Sequence, residues 1–221
     1  METALNELAN DPSSRKRFLK AAGGAGAAAA LGTLLAACGG GSKKMKTAAA
    51  AAPAASKGSP GGDLAIVNYA LTLEYLEAQF YADVIASGIV KDPKIASLAK
   101  SIAEAEQQHV DALTAAARKL GGTPAAKPKA SFQSVIDGGL TKTLQTAAAV
   151  ENLGAAAYLG QAAKIQNKEI LAAALSIHSV EARHAAALNK LTGGNPLPDG
   201  AFAKPMAKAD VLKAVQPFLT A

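Results

Sequence analysis

Two of the three histidines follow a glutamate at the same spacing, in Glu106-Gln107-Gln108-His109 and in Glu181-Ala182-Arg183-His184. On a helix, residues three apart project from one face about a turn apart, so each pair offers a carboxylate oxygen and an imidazole nitrogen to one cation. Two such pairs point to two cations. A lone Glu-x-x-His is more often a solvated helix pair, but here both lie on apolar stripes. One stripe runs Ile95, Leu98, Ile102, Glu106, His109, Leu113, and the other Ile170, Ala174, Ile177, Glu181, His184, Leu188, Leu191.

The doubling belongs to a longer repeat. Glu74 is followed seven residues later by Tyr81, and Glu151 seven residues later by Tyr158. Ile102, Glu106, His109 and Leu113 correspond to Ile177, Glu181, His184 and Leu188. Each half therefore reads as a helix with an inward glutamate followed by a helix with Glu-x-x-His, a duplicated helical hairpin. Burying an unpaired carboxylate costs several kcal/mol. Four carboxylates facing one another carry a charge that two divalent cations cancel, so metal resolves the electrostatic problem that the pattern creates.

On these residues the chain resembles the ferritin-like superfamily of di-iron and di-manganese carboxylate proteins, whose signature is one Glu from each of two helices and Glu-x-x-His from each of the other two. The resemblance covers Asp63 to about Leu191. The run Glu74-Tyr75-Leu76-Glu77-Ala78-Gln79-Phe80-Tyr81 and the stretch from Asn195 to Phe202 are similar to exported bacterial ferritin-like proteins, some of them linked with desiccation or stress. It implies a metal set of Glu74, Glu106, His109, Glu151, Glu181 and His184, with Glu106 and Glu181 bridging two Fe or Mn ions and Glu74 and Glu151 terminal. It also implies oxidoreductase chemistry with O2, peroxide or Fe(II), of ferroxidase, peroxidase or catalase-like type. The alternative is a non-enzymatic stress or desiccation-related envelope protein whose metal pair only staples the bundle.

Three further positions have two readings each. Repeat symmetry aligns Glu74 with Glu151 and Glu77 with Gly154, so Glu77 is either an extra ligand or a solvated residue. Tyr81 and Tyr158 either donate hydrogen bonds to the ligand carboxylates or simply pack in the core. His178 lies off the seam and is not expected to be a ligand.

The elements that must position these groups follow from start and stop signals. The fold class is all-α, a four-helix bundle over 63–191. Asp63 is the expected N-cap of the first helix, which runs to about Ser87-Gly88. Asp92-Pro93 opens the second, and Gly121-Gly122 ends it. After a Pro-, Ala- and Lys-rich crossover comes a short helical piece near Ser131 to Asp137, then helices over roughly Gly139–Gln166 and Asn167–Leu191. In the tail, 192–221, a short helix from Asp210 to Val215 is expected to pack Phe202, Leu212 and Phe218 on the bundle.

The 221 residues are half apolar with no Trp, enough for one medium helical domain plus extensions. Residues 1–37 read as an export signal. It has a basic Ser14-Arg15-Lys16-Arg17-Phe18-Leu19-Lys20, similar to a twin-arginine signal except at Lys16, then a weakly apolar stretch, then Leu35-Ala36-Ala37-Cys38, which resembles a lipobox. Lipidation at Cys38 would tether the protein to the envelope membrane; the stretch before it is too short and too rich in Gly and Ala for a stable span. Residues 38–62 form a flexible linker of Gly, Ser, Ala, Pro and Lys. Cys38 is the only cysteine, which excludes a disulfide or thiolate metal site. The net charge of +6, with Lys43, Lys44, Lys46 and Lys57 in the linker, suits anionic headgroups. No basic stripe interleaved with aromatics suggests nucleic acid. The expected partners are the membrane, small oxidants or Fe(II), and a second copy of the chain in a homodimer.

Overall fold

The structure is a computed structural model that describes residues 60–220. The export signal, Cys38 and nearly all of the linker lie outside the described residues. The described residues form six α-helices: α1 (Pro60–Ser87), α2 (Pro93–Lys119), α3 (Gln133–Ile136), α4 (Gly139–Ala162), α5 (Lys168–Leu191) and α6 (Lys208–Val215), followed by a 3-10 turn at Gln216–Phe218. Among the described residues there is no strand, only an isolated bridge between Ala130 and Leu219.

α1 packs along α2 and α4 along α5, so the two hairpins expected from the repeat are the principal units, joined by contacts of α1 with α4 and α2 with α5. Local chemistry sets the helix starts. The Asp92 carboxylate accepts the backbone N–H groups of Lys94 and Ile95 ahead of Pro93, and Asn167 does the same for Glu169 and Ile170.

Asp63 does not cap α1. The helix begins earlier, at Pro60, and the buried Asp63 side chain reaches the other hairpin, accepting from Gln166 N at 2.9 Å and Asn167 N at 2.7 Å. Those N–H groups belong to the α4–α5 turn, and α4 ends at Ala162, short of the expected Gln166. The carboxylate thus ties the first turn of α1 to the start of α5.

The crossover runs along α1. Asn68 Nδ2 donates to Thr123 O, Ala125 N donates to Asn68 Oδ1, and Lys127 Nζ donates to Gln79 Oε1. The crossover also delivers Phe132, fully buried, edge-on to Phe80 at 5.2 Å. The tail then closes over the crossover through Ser131 N to Phe218 O and Thr220 N to Lys129 O. Before that it touches α4, where Met206 N donates to Ala156 O; a side chain at Gly160 would run into the Met206 carbonyl.

α6 packs through Val211 and Val215, four apart on one helical face, and both are buried. Leu212 is rotated by one residue onto the outer face and is exposed, and Phe202 is 84% exposed. The expected packing of those two residues is therefore replaced by the valine pair, with Phe218 alone of the three resting partly buried against Phe132.

The apolar core falls into two clusters. One contains Leu76, Phe80, Ile102, Phe132 and Leu188, the other Val67, Leu71, Leu113, Ile170 and Ile177. Along α2 and α5 the Glu-x-x-His pairs sit between residues of the two clusters. A polar layer therefore crosses the middle of an apolar bundle.

Candidate metal centre

Glu74 on α1, Glu106 and His109 on α2, Glu151 on α4, and Glu181 and His184 on α5 all point into that layer. The four glutamates have no exposed surface, His109 is buried, and His184 is partly buried. His109 Nδ1 lies 3.2 Å from Glu74 Oε2, 3.1 Å from Glu106 Oε2 and 3.1 Å from Glu181 Oε1. His184 Nδ1 lies 3.0 Å from Glu106 Oε1 and 3.2 Å from Glu151 Oε2. Each imidazole thus faces its own half's helix-one glutamate and a Glu-x-x-His carboxylate, with those of α2 and α5 reaching across to the opposite hairpin.

The ligand atoms form two overlapping groups. Glu74, Glu106, His109 and Glu181 make one, and Glu106, Glu151, Glu181 and His184 the other, with all atoms of a group within 4.8 Å of one another. Glu106 and Glu181 belong to both. These buried Glu and His groups could hold metal ions.

The tyrosines connect the halves reciprocally. Tyr81 donates to Glu151 Oε1 at 2.6 Å, and Tyr158 donates to Glu74 Oε1. Burial, then the charge of the partnered carboxylate, pushes both phenols well above their ordinary value, so both remain donors. Of the two readings of these residues, carboxylate support is the one the geometry shows.

Glu77 is not solvated. It is buried beside the cluster, its Oε2 without a hydrogen-bond partner, and burial followed by the charge of Glu181 pushes its pKa well up. His178 turns away, its Nδ1 3.0 Å from the carbonyl oxygen of Ala155.

The electrostatics express a surplus of negative charge. Burial would push both histidines down, but the facing carboxylates overcome it, holding His109 at about 12 and His184 at about 9. Burial would raise Glu106, yet the imidazoles of His109 and His184 beside it bring it down to about 2. Glu74 is pushed up to about 7 by burial, against the opposing effect of His109, and Glu181 is likewise raised. Without metal, protons on imidazoles and carboxyls supply the positive charge the layer requires.

Orphaned oxygens make the same point. Glu181 Oε1 and Oε2 and Glu106 Oε1 are buried without a hydrogen bond, and Glu106 Oε1 lies within ion-pair distance of His184 but at the wrong angle. A cation accepts lone pairs from directions that an N–H cannot serve, so the donor set fits metal ions.

Away from the site, the sequence suggests a cap role for Asp63, because nothing local signals partners that lie more than 100 residues away. Within the site Gly154 does carry a signal, through its repeat alignment with Glu77: a Cβ there would stand 2.7 Å from Glu77 Oε1 and 3.0 Å from Glu181 Oε2.

Residues 62–194 match the family model of the ferritin-like domain, which takes in more than half of the chain, and the chain belongs to that family. It matches no curated protein.

Proposed function

We propose that this ferritin-like chain is an envelope-tethered protein holding a dinuclear Fe or Mn centre, with oxidoreductase chemistry toward O2, peroxide or Fe(II). The observation that carries the reading is the pair of overlapping ligand groups that share Glu106 and Glu181. A shared carboxylate keeps two ions adjacent, which suits a two-electron exchange with an oxidant more than independent storage of single ions. Carboxylate and imidazole ligands without thiolate favour iron or manganese. Such a pair, when bound, would supply the electrons.

The chain's own residues supply the setting. Glu74 and Glu151 would each cap one end of the pair, with their free orientation removed by Tyr158 and Tyr81. The apolar clusters on either side exclude bulk water and keep the charges strongly coupled. His109 and His184 must release their protons before they can ligate, so loading at neutral pH expels protons from the layer.

Metal analysis of the full chain after reconstitution with iron or manganese tests this directly. The expected content is close to two ions per chain, with Fe(II) oxidation or peroxide consumption by the loaded form. A chain that retains no ion overturns the reading, and one that is loaded but inert toward O2, peroxide and Fe(II) supports a structural role in its place. The tether is tested separately: Cys38→Ser is expected to release the protein from membranes. Among the described residues no helix is long and apolar enough to span one.

A further inference from the structure

The internal repeat relates more than the ligands: it also relates two cavities, one on each side of the polar layer. The larger, of about 40 Å³, is walled by all four long helices, and the smaller has about 10 Å³. Tyr158, Leu113 and Ala174 in the larger are the repeat counterparts of Tyr81, Leu188 and Ala99 in the smaller. The correspondence breaks at five positions. Thr143, Leu144 and Val84 replace Ile66, Val67 and Gln161, and the two remaining changes put the bulkier side chain in the smaller cavity by the widest margin. Phe80 stands where the other half has Ala157, and Leu98 stands where it has Ala173.

Those two differences fill space on the smaller side. The Phe80 ring is fully buried and packs edge-on against Tyr81 and Phe132, each at 5.2 Å, which plugs its end of the bundle. Ala157 leaves the equivalent space open. The open side adjoins the ligand layer: its wall residue Tyr158 donates to Glu74, and Leu113 and Ile177 stand one helical turn from His109 and Glu181. The exposed wall is almost entirely carbon; two lining residues carry buried polar atoms without a hydrogen-bond partner, the Tyr69 hydroxyl and Gln161 Nε2. A water molecule needs two or more polar partners to remain in a buried site, whereas an apolar cavity stays dry and accepts apolar guests. At roughly 10–15 Å³ for each water-sized sphere, the space suits a guest of a few heavy atoms.

We propose that the cavity bounded by Ala157, Ala173 and Tyr158 is a binding site for small apolar molecules, dioxygen foremost, on one side of the metal centre. The identity of the guest as dioxygen rests on the redox reading above; the existence of an apolar site does not. The core of the duplicated bundle is thereby asymmetric, with Phe80 filling on one flank the space that Ala157 leaves on the other.

The test uses xenon alone as the probe, followed by ¹²⁹Xe NMR titration of the full chain with and without metal. Saturable binding is expected in both forms. Ala157→Phe and Ala173→Leu copy the filled flank, and both are expected to abolish xenon binding while leaving helix content and the two-ion stoichiometry unchanged. In the iron-loaded protein they should raise the KM for O2 in Fe(II) oxidation several-fold and leave the reaction with peroxide unaltered. Should Ala157→Phe fail to fold, Ala173→Leu carries the comparison. Absence of saturable xenon binding in the unsubstituted chain overturns the site. Loss of xenon binding with an unchanged KM for O2 overturns dioxygen as its occupant. Xenon binding by a chain that takes up no metal sustains the site and overturns only the redox reading.

Discussion

The carboxylate of Glu77 occupies the space that the missing side chain of Gly154 leaves open. The two residues are repeat counterparts, so the first half contributes an acid where the second half contributes nothing, and one fits against the other. A Cβ on residue 154 would come within 2.7 Å of Glu77 Oε1 and 3.0 Å of Glu181 Oε2. The pseudo-symmetric layer thus holds a fifth buried acid from one half only.

Gly154→Ala tests that fit. In a helix interior the change is ordinarily stabilising by about 1 kcal/mol. Here the new methyl displaces two carboxylates, one of them common to both ligand groups. Metal affinity is expected to fall about tenfold, the size of effect typical when groups that orient ligands are disturbed. Competition titration with a chelator measures it, and unchanged affinity would mean that Glu77 and Glu181 relocate freely.

Glu106→Ala and Glu181→Ala are expected to reduce metal content from about two ions to less than one, because each removes an oxygen from both groups. Glu74→Ala and Glu151→Ala each touch one group and should leave about one ion bound. Metal analysis across the four variants reads the sharing directly. Equal losses in all four would exclude it.

The residues that converge in the candidate site were legible because the pattern is periodic: a Glu-x-x-His within an apolar stripe, and a glutamate seven residues before a tyrosine, each written twice. The hairpins were legible for the same reason. Less accessible was whatever depends on packing between distant segments. The stripe of α1 could be drawn through Glu74 or Glu77, and both are buried because α1 is covered by both its partner helices and the crossover. Asp63 looked like a cap, since a first-turn acid has the same local pattern whether it serves its own helix or the α4–α5 turn. Phe202 looked like a core residue by type alone, yet the valine pair of α6 fills that role.

Tyr81→Phe and Tyr158→Phe remove the two hydrogen bonds that cross between halves. Each leaves a buried carboxylate oxygen of Glu151 or Glu74 without its donor, and the metal-free protein is expected to lose about 1–3 kcal/mol per substitution. Urea denaturation measures the loss. In the metal-loaded protein the loss should be smaller, because a cation satisfies the same carboxylate. A loss no greater than in an exposed Tyr→Phe change would show that the tyrosines only pack.

Acidity should act in opposite directions on the metal-free and metal-loaded forms. Without metal, Glu74 is raised from 4.5 to about 7, His184 from 6.5 to about 9 and His109 from 6.5 to about 12. Each binds its proton more tightly folded than unfolded. Its stabilisation is complete below the unfolded value and disappears as the pH climbs through the folded one. Glu106, lowered from 4.5 to about 2, behaves in reverse, stabilising above 4.5 and losing that contribution as the pH falls toward 2. The metal-free protein is therefore expected to be most stable near pH 4.5 and to weaken steadily above it, with Glu74 losing its contribution by about 7, His184 by about 9 and His109 by about 12. The slope is on the order of 1.4 kcal/mol per pH unit for each group crossing its window. The loaded protein needs the same carboxylates and imidazoles deprotonated, so protons compete with the ions and binding strengthens with pH. Its Tm is expected to rise from pH 5 to pH 8 while that of the metal-free form falls, so the gap between two calorimetric series widens with pH. Parallel series would mean that the ions bind somewhere other than this layer.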